Sequence, residues 1–140
     1  MVTLLHKGQS FDRESSERFT RMIPSVSQLP YEQSLAKQHL QTLEHRRIRA
    51  DVIELHKIIH GPSTVDFNCF FERSHYDRTR GHSLKLRKNR VLTDLRQHCF
   101  SERIVNMWNT LDEETVSAPS VNSLKYRLHK MYKDGSFSGL

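Results

Sequence analysis

Between Arg73 and His98 the chain carries eight basic residues, Arg73, Arg78, Arg80, Lys85, Arg87, Lys88, Arg90 and Arg96, against two acidic ones, Asp77 and Asp94. The flanks are balanced, with 9 Lys/Arg against 9 Asp/Glu over 1–72 and 5 against 5 over 99–140, so the formal charge of +6 arises in this one segment. Guanidinium and ammonium groups clustered in this way suit phosphate oxygens, and the chemistry implied is the holding of a polyanion. Within the cluster, His82-Ser83-Leu84-Lys85-Leu86-Arg87 alternates polar and apolar residues, and Val91-Leu92 follows the basic turn Lys88-Asn89-Arg90. That pattern predicts a short β-hairpin around 82–92, with Leu84 and Leu86 turned inward and Lys85, Arg87, Lys88 and Arg90 turned to solvent. Tyr76 and His82 are expected to stack on unpaired bases. The plainer alternative is a basic surface loop that keeps a small domain soluble.

Other reactive residue types do not assemble into a recognisable site. His56 and His60 lie one helical turn apart, with Cys69 nine residues on and His98-Cys99 further down. A zinc protease pattern would need glutamate after the first histidine, where Lys57 stands, and no Cys-x2-Cys pair offers a structural site. No metal is therefore expected, and Cys69, beside Phe70-Phe71, reads as a small buried apolar residue. Two cysteines make no disulfide framework and fit a reducing compartment. No serine lies in a Gly-x-Ser-x-Gly elbow, and five glycines form no phosphate-cradling loop. The aspartates are scattered singly, with no Asp-Asp pair to hold divalent metals. No catalytic residue and no cofactor are expected.

The elements that must position the basic segment read as helices. Phe100, Ile104, Trp108 and Leu111 recur at helical spacing, as do Val121, Leu124, Leu128 and Met131, and Pro119-Ser120 marks the second start with a serine cap. Upstream, Phe19, Met22 and Ile23 end an amphipathic segment closed by Pro24, with acidic residues from Asp12 to Glu17 near its start. Pro30 opens a second helix with Leu35 and Leu40 inward. A third runs from about Thr42 to His60, burying Ile48, Val52, Leu55 and Ile59 and stopping at Gly61-Pro62. Its opposite face carries Arg46, Arg47, Arg49 and Lys57, with Asp51 and Glu54 spaced for ion pairs along the helix. The expected fold is mainly α: about five helices and one short basic hairpin. It divides into a helical region over 1–62, a basic segment over 63–98, a helical pair over 99–134 and a disordered tail over 135–140, together one compact unit. A hydrophobic fraction of 36% and a mean hydropathy of -0.67 imply marginal stability alone.

Four ordered blocks support a family likeness: Arg18 to Pro24 with Leu29-Pro30-Tyr31-Glu32, His45 to Gly61, Arg80 to Leu86, and the pair Phe100–Leu111 and Ser117–Leu128. Taken in order, they resemble the C-terminal end of jockey-like non-LTR retrotransposon polyproteins, downstream of the reverse transcriptase palm. The likeness spans roughly residues 17–132. It implies a thumb and post-thumb region that helps hold template RNA and primer. Lys85, Arg87, Lys88 and Arg90 would be the first contacts, Arg78, Arg80, Arg46, Arg47 and Arg49 the next. The implied partners are RNA or an RNA:DNA hybrid and the remainder of a reverse transcriptase, with no small-molecule substrate.

The departures from that family matter equally. The palm aspartates and the endonuclease domain are missing, as is the cysteine-histidine knuckle some such polyproteins carry near this end, so the chain is not expected to be an enzyme. The rival expectation is a truncated or domesticated remnant serving as a protein-interaction module without a nucleic-acid role. A start methionine, an unrelated first dozen residues and the missing palm fit a truncated copy. No apolar run is long enough to span a membrane, and Met1 to Lys7 turns polar too quickly for a signal peptide, so an intracellular setting, nucleus or cytoplasm, is expected.

Overall fold

A computed structural model of the chain describes residues 13–75, 80–97 and 99–136. It is mainly helical, and its two compact units are Met1–Ile48 and Arg49–Leu140, so the division falls inside the long third helix.

The first unit holds helix α1 over described positions 13–21, helix α2 (Tyr31–Lys37) and the first turns of helix α3 (Leu43–His60). Pro30 stands directly before α2, where its missing N–H costs nothing. The turn before α2 is knotted by Ser34, whose hydroxyl lies 3.2, 3.2 and 3.1 Å from the carbonyls of Val26, Leu29 and Pro30. Ser16 and Tyr31 hydroxyls meet at 2.9 Å and tie α1 to α2. Thr20, Val26, Ser34 and Leu35 are buried here, whereas Phe19, Met22 and Leu40 are exposed. Of the apolar residues expected at the end of α1, Phe19 and Met22 thus face solvent and Ile23 is half-buried, because the buried position falls one residue on from Phe19, at Thr20. Thr42 caps α3, its Oγ1 accepting from the His45 N–H at 3.3 Å.

The second unit is built on the rest of α3. A 3-10 turn (Phe67–Cys69) follows, then helix α4 (Asp94–Gln97), helix α5 (Phe100–Thr110), helix α6 (Glu113–Val116) and helix α7 (Val121–Lys133). Gly61 ends α3 with φ of 92°, a left-handed conformation that glycine adopts without strain. The stripes read from the sequence form the core: Val52 and Leu55 from α3, Ile104, Trp108 and Leu111 at α5, Leu124 and Leu128 from α7. Ile48 and Ile59 are only half-buried, and His56 and Ile58 take the buried places beside Val52 and Leu55. Ser120 caps α7, accepting from the Ser123 N–H at 3.2 Å. The short α4 and α6 were not legible in the apolar spacing, since four residues make barely one turn.

The hairpin expected around 82–92 is reduced to a single antiparallel bridge between Arg73 and Leu86. Its partner strand comes from upstream: the Ser74 N–H donates to the Lys85 carbonyl at 2.9 Å and the Arg87 N–H to the Glu72 carbonyl at 2.8 Å. Residues 88–92 form no bridge with the described residues.

Candidate nucleic-acid interface

The basic segment is bolted to the C-terminal end of α5 by its even-numbered residues. The His82 Nε2–H donates to the Trp108 carbonyl at 2.8 Å, and the Trp108 indole N–H donates to the Leu84 carbonyl at 2.8 Å. Asn109 then accepts from the Leu86 N–H at 2.9 Å and donates to the Leu86 carbonyl at 2.8 Å. Its side-chain amide thus acts as a neighbouring strand would, satisfying both outward backbone groups of the bridge residue. Leu86 is buried and Leu84 half-buried, so the period-two alternation does set which side faces the core. Between His82 and Leu84, the Ser83 N–H at 2.6 Å and the Ser83 hydroxyl at 2.8 Å donate to Glu113 at the start of α6. These two bonds, the backbone one foremost, hold the Glu113 carboxyl below its ordinary range.

The odd-numbered side of the strand and the turn that follows carry the cations. Arg87 is exposed and paired with Glu72 at 2.9 Å. Lys85 is half-buried and folds back, its ammonium donating to the Arg80 carbonyl. Gly81, at φ of 124°, leaves the space through which the Lys85 side chain passes. Lys88 and Arg90 are exposed and make no hydrogen bond or ion pair with the described residues, and Arg80, eight residues before Lys88, is exposed as well. Arg78 and Tyr76 lie outside the described residues.

Two expectations are corrected. His82 cannot stack on a base, because its ring is 3% exposed and packed edge-on against Trp108 at 6.0 Å. Cys69 is exposed, not buried, since the 3-10 turn points it away while Phe71 enters the core.

The arginines of α3 fall in different places. Arg46 and Arg47 are exposed in the first unit; Arg49, in the second, is half-buried, with its Nε enclosed and lacking a hydrogen-bond partner. Of the ion pairs expected along α3, Lys57 meets Glu54 at 3.2 Å, while Asp51 reaches across to Arg103 of α5 in a fork of 2.8 and 2.9 Å. His56 and His60 stand with ring centroids 4.2 Å apart, and each Nε2–H donates at 3.0 Å to a carbonyl, His56 to Ala118 and His60 to Val116. Among the described residues no three His, Cys, Asp or Glu side chains converge as a metal site. No helix among them is long and apolar enough to cross a membrane.

The sequence reading missed Asn109 and Glu113, the two side chains that fix the loop. Each is a polar residue near a helix end, a position where many asparagines and glutamates only meet water. An open groove of about 650 Å³ beside α6 and α7 mixes Asp112, Glu114 and Asp134 with Arg127 and Lys130, so its charge favours no single sign. Comparison with protein-family models, with curated proteins and with solved structures finds no match to this chain.

Proposed function

We propose that the chain is a non-catalytic C-terminal region of a jockey-like non-LTR retrotransposon reverse transcriptase, and that it holds RNA or an RNA:DNA hybrid through its basic segment. The observation that supports this reading is the anchoring of 82–86 to Trp108 and Asn109. A strand held by backbone bonds on one side presents Lys88 and Arg90 from a fixed base, and preorganised cations lose less entropy on meeting phosphates than cations on a mobile tail. Arg80, Lys85 and Arg87 flank them, and Arg46, Arg47 and Arg49 are secondary contacts. In a full polyprotein this surface would help position template and primer for the palm, and divalent-metal-dependent primer extension by the chain alone would overturn this account.

The test is a salt titration of binding to a structured RNA, comparing the wild type with Lys85, Arg87, Lys88 and Arg90 all changed to serine. Each neutralised phosphate releases counterions, so affinity should fall with a log–log slope of about 0.7 to 0.9 per contact, and the variant should lose about two units of slope.

One observation favours the rival reading, a transposon remnant kept as a protein-interaction module: Leu92 and Leu95 are 87% and 73% exposed directly after the basic turn. Weak, salt-insensitive RNA binding by both proteins would support that reading instead.

A further inference from the structure

We infer that Phe70 is a base-stacking platform and that the ligand of the basic turn is single-stranded RNA; the inference rests on the RNA-holding reading above and narrows it. The bridge pairs Glu72 with Arg87, Arg73 with Leu86 and Ser74 with Lys85, so the residues leaving the pair at one common end are Phe71 and Lys88. Phe70 therefore departs from the same end as Lys88 and Arg90, two exposed cations that make no hydrogen bond or ion pair with the described residues. The three phenylalanines of this turn are used differently. Phe71 is 5% exposed and packs edge-on against Phe100 at 6.0 Å, and Phe67 receives the Arg73 guanidinium at 5.7 Å. Phe70 is 58% exposed and makes no ring contact with the described residues.

An exposed aromatic ring beside paired-off cations would be an unremarkable surface residue. Leaving the bridge at the same end as two cations that have no ion pair or hydrogen bond with the described residues, it supplies the other half of single-strand recognition. Phosphates are met by charge, and an unstacked base is met by an aromatic face. A duplex offers no such base, because its bases are already stacked on one another. The surface therefore discriminates unpaired from paired strands through Phe70 and not through its charges.

The experiment uses the full chain and two probes: an unstructured RNA oligonucleotide carrying one 2-aminopurine, and the same strand annealed to its complement. Wild type, Phe70→Ala and Phe70→Trp are titrated with each at several salt concentrations. The expected result is a roughly five- to hundredfold loss of single-strand affinity in Phe70→Ala, with the salt slope and the duplex affinity unchanged. Phe70→Trp should keep single-strand affinity and quench the 2-aminopurine. Equal losses on both probes, no loss on either, or a wild type that prefers the duplex would overturn the stacking role while leaving RNA binding intact. A wild type that binds neither probe would overturn the RNA-holding reading and this inference with it. The melting temperature of Phe70→Ala, at an exposed position, should match the wild type and so separates a lost contact from a lost fold.

Discussion

Asn109 holds Leu86 by both of its backbone polar groups, accepting from the N–H at 2.9 Å and donating to the carbonyl at 2.8 Å. Asn109→Ala leaves that N–H and carbonyl without protein partners beside a buried side chain. The loss should be about 1–3 kcal/mol in urea unfolding. Asn109→Asp keeps the acceptor but loses the donor and sets a carboxylate against the Leu86 carbonyl, so it should do no better than alanine. If either variant matches the wild type, the amide is not what secures the strand.

Histidine 56 makes stability fall on mild acidification. The residue is 2% exposed, and its ring donates from Nε2–H to the Ala118 carbonyl while Nδ1 is enclosed without a partner among the described residues. Burial first, and the neighbouring His60 ring second, push its pKa below the ordinary 6.5, while the Ala118 carbonyl pulls the other way. The folded chain therefore takes up this proton less readily than the unfolded chain. The contribution is fully present above about pH 6.5 and is lost as pH falls from there through the depressed folded value. Urea midpoints should drop between pH 7.5 and 5. His56→Leu should be less stable near neutrality, lacking the carbonyl bond, yet should show a shallower drop. An equally steep drop would place the pH dependence elsewhere. Glu113, whose carboxyl is held below the usual 4.5, acts only in a separate and more acidic window.

The helical core was legible because its signal is local. Ile104, Trp108, Leu124 and Leu128 declare their inward face by spacing alone, and Ser120 declares the start of α7. The alternation from His82 to Arg87 likewise foretold which side would be wet. What was not legible is which strand would pair with it. Val91-Leu92 is adjacent in sequence and has the right composition, but the backbone groups of Leu86 and its neighbours are taken by Glu72, Ser74 and Asn109. That choice depends on where α5 ends in space. The same reason explains His82 and His56: a histidine serving a distant carbonyl has the same sequence signature as one facing solvent or metal. Phe70 and Phe71 are identical neighbours, and only the turn decides which of them is buried.

The forked pair between Arg103 and Asp51 joins α5 to α3, with bonds of 2.8 and 2.9 Å on side chains that are 48% and 16% exposed. Bidentate geometry and partial burial place it above the usual surface pair, though solvent still screens the arginine. Asp51→Asn should cost about 0.5–1.5 kcal/mol in unfolding at low salt. Most of that difference should vanish in 1 M salt, where the screening length is about 3 Å. A salt-independent cost would point to packing and not to charge.

The four cations of the proposed contact surface should not count equally. Arg87 already shares its charge with Glu72 and Lys85 donates to the Arg80 carbonyl, so each must give up a protein partner before it can meet a phosphate. Lys88 and Arg90 have none among the described residues. Of two double variants, Lys88→Ser with Arg90→Ser should lose more affinity for RNA, and close to two contacts' worth of salt slope, about 1.4 for a single strand. Lys85→Ser with Arg87→Ser should lose less than half of that. It should instead release Glu72, adding an uncompensated carboxylate near the turn, so its residual loss should come as a uniform weakening more than as a change in slope. A larger slope loss in Lys85→Ser with Arg87→Ser than in Lys88→Ser with Arg90→Ser would mean that the strand, and not the turn after it, meets the phosphates. The pairing of Arg87 with Glu72 would then have to open on binding, and Glu72→Gln should in that case tighten RNA binding.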